Sequence, residues 1–140
     1  MIGYLDTSAF VPLLVAEPST LSCRRFWDDC DAVVSTRLLY VETAAALAQA
    51  HRMKRLTTRS HRASLRLLDE LWAELAVVEV DEQVGTRAAA LADELGLRGY
   101  DAVHCASAEI VDDDDVVAAS GDQQVLSAWS ALGLSVYDTN

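Results

Sequence analysis

Residues 1–10 read MIGYLDTSAF, and the middle of that stretch decides the fold. The apolar run Ile2–Leu5 shows no alternation with polar residues, so both of its faces ask for cover. That is the pattern of a buried strand in a parallel sheet. The run stops on a carboxylate, Asp6, followed by two hydroxyls, Thr7 and Ser8. A charge there is either a cap for the helix that starts near Ser8 or part of a site. Working outward, strand-like runs recur at 32–35, 77–80, 116–119 and 134–137. Helical patterns fill 8–14, 18–30, 36–54, 58–75, 83–96, 101–111 and 123–132, with Gly96, Gly99 and Gly133 at helix ends. Strand and helix in alternation predict an α/β fold, with a mainly parallel central sheet of about five strands flanked by helices in three layers. In such sheets ligands sit beyond the carboxyl ends of the strands, where the strand order switches. Asp6 stands at one such end and Asp122, just past 116–119, at another.

The 140 residues are of one-domain length and 51% of them are hydrophobic, enough for a substantial core. No apolar stretch reaches the ~20 residues of a membrane span, and no basic-then-apolar leader opens the chain, so a cytoplasmic location is expected. The cysteines Cys23, Cys30 and Cys105 form no C-x-x-C pair and are odd in number, which predicts small buried thiols rather than disulfides or zinc ligands. The net charge of −11 argues against a nucleic-acid partner until its distribution is examined. The segment 51–66, HRMKRLTTRSHRASLR, carries Arg52, Lys54, Arg55, Arg59, Arg62 and Arg66 and no acid. These are six of the chain's eleven cations, so the molecule is an acidic body with one basic strip. The strip suits phosphate contact, although it lacks aromatic residues for base stacking and equally suits a solvated helix face.

Four acids stand out from the twenty-two. Glu42 lies in the apolar helix LLYVETAAALAQA and either faces water or is held by a positive group. Asp101 falls in the first turn of the apolar helix 101–111, where the helix dipole favours it. Asp122 reads as an N-cap, and so does Asp6. Taken together, strand-end acids converging on one edge require proton sharing or a bound cation. Oxygen ligands without matching His or Cys favour a hard ion, Mg²⁺ or Mn²⁺. His104, three residues after Asp101, has no second His or Cys to pair with and is expected to pack along its helix. The run DDDD at 112–115 lacks calcium-loop spacing and reads as a solvated turn.

Four segments in order, YLDTSAF, YVETAAAL, LRGYDAVHCASA and SGDQQVLSA, span nearly the whole chain. Together they resemble the PIN-domain ribonucleases, and within them the VapC type of toxin from toxin–antitoxin pairs. The resemblance implies a metal-dependent endoribonuclease using Mg²⁺, with Mn²⁺ able to substitute. It matches the acidic pocket to Asp6, Glu42, Asp101 and Asp122. Ser8 resembles the family's hydroxyl that supports the metal shell, and Ser120 keeps a hydroxyl where the family often has Thr. An RNA substrate, a cognate antitoxin that covers the pocket and a homodimer follow from the same resemblance. Phe10, Leu13, Leu14, Leu21 and Phe26 are either antitoxin contacts or core. The rival reading is a non-catalytic RNA- or protein-binding module with the same fold, indifferent to metal.

Overall fold

A computed structural model describes residues 1–140. Five strands, β1 (Ile2–Leu5), β2 (Ala32–Thr36), β3 (Leu75–Val78), β4 (Val116–Ser120) and β5 (Ser135–Asp138), form one sheet in the order β3-β2-β1-β4-β5. Every pairing is parallel, so the expected mainly parallel sheet is wholly so. Seven helices flank it: α1 (Thr7–Phe10), α2 (Thr20–Asp29), α3 (Leu38–Arg52), α4 (Thr58–Trp72), α5 (Glu82–Leu95), α6 (Gly99–Val111) and α7 (Gln123–Ala131).

Adjacent strand residues point to opposite faces, and the core divides accordingly. Tyr4, Val34 and Ala118 join α5, α6 and α7 through Leu91, Cys105 and Trp129. Leu5, Val33 and Ala119 join α1 to α4 through Phe10, Phe26, Leu39 and Leu68. The three layers expected from the uniform apolar strands are therefore present. Gly3 lets α2 press on β1, since a Cβ there would lie 2.4 Å from Cys30 Sγ and 2.8 Å from the Phe26 ring.

Several expected boundaries move, each for a local reason. The helix expected over 8–14 is one α turn followed by a 3₁₀ turn, Val11–Leu13, because Pro12 has no N–H to continue the ladder. β3 begins at Leu75, which pairs with Val33 and is buried, instead of at 77. Gly96, with φ 65°, ends α5 in the left-handed conformation, as a glycine there should, whereas Gly99 opens α6 instead of ending a helix. α3 ends at Arg52, two residues before the expected 54, and Lys54 just beyond it has φ 61°, the only positive value outside glycine. No disulfide forms: Cys23 and Cys105 are buried and Cys30 is half-buried, with burial pushing the thiol of Cys105 up to about 12 and that of Cys30 up to about 11. Phe10, Leu13, Leu14 and Phe26 belong to the core, while Leu21 is 76% exposed. Asp112 to Asp115 form a solvated turn, as expected. No helix is long and apolar enough to cross a membrane.

Candidate active site

The switch in strand order lies between β1 and β4, because β1 runs on to β2 on one side while β4 runs on to β5 on the other. The carboxyl ends of these two central strands deliver Asp6 and the Ser120–Asp122 turn to the same place. Asp6 is 5% exposed. Its Oδ1 accepts from the Ala9 amide at 3.1 Å and the Ser8 hydroxyl at 2.7 Å, and its Oδ2 accepts from Ser120 Oγ at 2.6 Å. Each serine has one proton and both are committed to Asp6, so the 3.2 Å approach of Ser8 Oγ to Ser120 Oγ is a contact without a shared proton. The two hydroxyls are fixed in turn, because Ser8 accepts from the Gly121 amide at 2.8 Å and Ser120 from the Asp122 amide at 2.9 Å. Burial pushes the Asp6 pKa up, and the charge of His104 and the hydroxyl donors only partly offset it.

Asp6 does cap α1, and Asp122 caps α7 with Oδ1, which accepts from the amides of Gln124 at 2.8 Å and Val125 at 3.4 Å. At Asp122 capping and a role in a site are compatible, because the cap occupies one carboxylate oxygen and leaves the other, whereas the second oxygen of Asp6 accepts from Ser120. The free oxygen of Asp122, Oδ2, stands 3.8 Å from Arg98 Nη2, while Arg98 Nε donates to Asp101 Oδ2 at 3.2 Å. Arg98 is itself 79% exposed and spans the two acids from the solvent side.

Glu42, in the second turn of α3, is half-buried at the cleft and held by partners on α6 and α1. Its Oε1 accepts from His104 Nε2 at 2.8 Å and from Thr7 Oγ1 at 3.0 Å. Burial acts to raise its pKa, but the hydrogen bond and charge of His104, helped by Thr7, outweigh it and leave the carboxyl below its usual range. Glu42 and Asp101 line one open cleft of about 730 Å³ with Leu38, the Arg98–Tyr100 turn and Val103.

All four expected acids therefore stand on one edge of the sheet, but they do not meet. No three His, Cys, Asp or Glu side chains are grouped as metal ligands. The carboxylates are instead held by different groups: the two serines for Asp6, His104 and Thr7 for Glu42, and Arg98, shared, for Asp101 and Asp122. The basic strip lies apart from the cleft, on the end of α3, the turn after it and the start of α4. Arg52 is ten residues along α3 from Glu42, or ~15 Å. Its six cations are exposed and none forms an ion pair.

Sequence reasoning passed over Thr7, Arg98 and the partnership of His104. Spacing carried a trace of the last, since residues three apart share a helix face and Asp101 already pointed that face of α6 at the edge.

A family model described as "PIN domain" matches residues 3–126. The chain belongs to the PIN-domain family. Ribonuclease VapC49 of Mycobacterium tuberculosis is 41% identical to this PIN-domain chain over 133 residues, covering 95% of it and 92% of the relative. Two solved structures share the fold at low identity. A chain of a toxin–antitoxin complex from Klebsiella pneumoniae superposes with a TM-score of 0.71 at 11% identity, covering 99% of this chain and 98% of that one. VapC20 of Mycobacterium tuberculosis, described as a sarcin–ricin-loop-cleaving toxin, superposes with a TM-score of 0.66 at 19% identity, covering 90% and 94%.

Proposed function

We propose that this PIN-domain chain is a metal-dependent endoribonuclease and the toxin of a toxin–antitoxin pair. The identity to VapC ribonucleases along 95% of the chain supports the reaction class. The observation that carries the reading is the gathering of Asp6, Glu42, Asp101 and Asp122 along the sheet edge that holds the switch in strand order, with Arg98 drawn to Asp101 and Asp122.

The donors suit a hard divalent cation. They are all oxygen, Asp6 is a buried carboxylate with no cationic partner within 4 Å, and Arg98 marks a point where Asp101 and Asp122 share one positive charge. Asp6, Asp101 and Asp122, with Glu42, would hold Mg²⁺ or Mn²⁺. Such an ion supplies an activated water and neutralises phosphate charge. The chain's own residues do the rest. Ser8 and Ser120 hold Asp6 in one rotamer, the α7 cap aims the free oxygen of Asp122 outward, and Arg98 at the cleft mouth offers a fork to a phosphate once it leaves the aspartates. The basic strip gives RNA a landing surface, and the antitoxin is the partner that closes the cleft in the cell.

Wild type and Asp101→Asn are incubated with structured RNA in Mg²⁺, in Mn²⁺ and in EDTA, and the fragment ends are mapped. Discrete cuts leaving 5′-phosphates are expected only from wild type with metal, with the variant at least ~100-fold slower. Equal behaviour of the two proteins, or cutting that survives EDTA, would overturn the reading and favour a binding module.

A further inference from the structure

His104 is almost fully buried, at 2% exposure, and makes two good hydrogen bonds in opposite directions. Nε2 lies 2.8 Å from Glu42 Oε1, and Nδ1 lies 2.9 Å from the Tyr4 hydroxyl. A carboxylate only accepts, so Nε2 carries the proton of the first bond. The phenol can donate or accept, so the second bond persists whichever form the ring takes. Tyr4 is itself immobile: it is fully buried on β1 and packs edge-on against Trp129, with centroids 5.7 Å apart. A rigid line thus runs from the sheet core through Tyr4 and His104 to Glu42, joining β1, α6 and α3.

The ends of that line matter for the cleft. Glu42 lies on α3, and nothing else on α6 holds it by a hydrogen bond. Both of its donors, His104 and Thr7, reach Oε1, so Oε2 has no partner within the protein. We propose that His104 is a positioning residue, which orients Glu42 by holding Oε1 and so leaves Oε2 free toward the cleft, where a divalent cation would bind. Tyr4 sets the direction of the imidazole. This rests on the reading of Glu42 as part of a metal site. His104 itself is buried and does not line the cleft, so it acts through Glu42. Outer partners of this kind govern metal affinity by roughly 10–100-fold in other sites.

His104→Leu, His104→Gln and Tyr4→Phe are compared with wild type. Mn²⁺ affinity is measured by calorimetry without RNA, kcat and KM are measured on RNA, and circular dichroism follows the fold. The leucine variant should bind Mn²⁺ about 10–100-fold more weakly and lose kcat by a similar factor, with KM little changed. Glutamine offers an N–H near the Nε2 position and should recover most of that loss, which a mere filler of space would not do. Tyr4→Phe should lose less, in the same direction. Mn²⁺ affinity that stays at the wild-type value in folded His104→Leu overturns the proposal, and so does a wild type that binds no Mn²⁺. If the leucine variant does not fold, Mn²⁺ affinity unchanged in folded Tyr4→Phe overturns it as well. A wild type that binds Mn²⁺ through this line but cleaves no RNA would remove the ribonuclease reading and leave the positioning role standing.

Discussion

A buried carboxylate without a cationic partner is a cost to the folded chain, and at Asp6 that cost has a sign that can be tested. Its native pKa is raised above the ordinary carboxylate value by burial. Between the two values the native chain keeps a proton that the unfolded chain has released, so stability falls as pH rises across that window. Glu42 has the opposite sign. Its native pKa is lowered, so its contribution is complete above the ordinary value and is lost as pH falls through the native one. Asp6→Asn keeps the shape of the side chain and removes the charge. In EDTA at pH 7 it should melt higher than wild type, by roughly 3 °C for each kcal/mol of relieved desolvation, while RNA cleavage is lost. A lower midpoint in calorimetry would mean that the two serines and the Ala9 amide stabilise the anion more than burial opposes it. Asp6 was legible in the sequence because an apolar run stops on it, and Glu42 because it is a lone charge in an apolar helix. Asp122 follows a strand-like run less directly, and Asp101 stood out only through the resemblance. Their partners were not legible. Tyr4 and His104 are a hundred positions apart, and only the docking of α6 against β1 makes them neighbours.

Elements were legible where one signal dominated. The uniform apolar runs predicted buried parallel strands, and the sheet is parallel throughout. Boundaries failed where a residue served two patterns: Leu75 fits the periodicity of α4 as well as it fits a strand, and pairing with Val33 decides the matter. Strand order was not legible, because it follows from which helix packs on which face and not from any local preference. The end of α3 is an instructive case, as the sequence offers no glycine there and Lys54 takes the left-handed conformation instead. A side chain in that region costs about 1 kcal/mol relative to glycine. Lys54→Gly should therefore raise the free energy of unfolding in urea by about 0.5–1 kcal/mol without altering the cleft. A neutral or destabilising result would show that the Lys54 side chain repays its backbone strain through interactions of its own. A strained lysine kept at the tip of a basic strip is consistent with a use for its charge.

For the whole molecule the question is how a chain of net charge −11 engages RNA. Segregation answers it. At physiological salt the Debye length is ~8 Å, so charges ~15 Å apart along α3 scarcely sense one another through solvent. The acidic cleft then neither repels RNA from the strip nor neutralises it. On α4, Arg59, Arg62 and Arg66 recur at intervals of three and four and share one exposed face. Replacing Arg59 and Arg62 by glutamine should weaken RNA binding and flatten its salt dependence. On a single strand the slope should fall by about 0.7 for each phosphate no longer neutralised, ~1.4 in all. Arg24 and Arg25, exposed on α2, provide the control, since replacing either pair takes the net charge from −11 to −13. Binding is measured in an Asp101→Asn background across a salt series, and cut positions are mapped in the active one. The strip pair should change the slope and leave the cuts in place, because phosphate contacts carry affinity and little sequence choice. Equal slopes for the two pairs would reduce the strip to a solvated counterweight. RNA would then have to reach the cleft by its mouth, where Arg98 is the only cation lining the cavity.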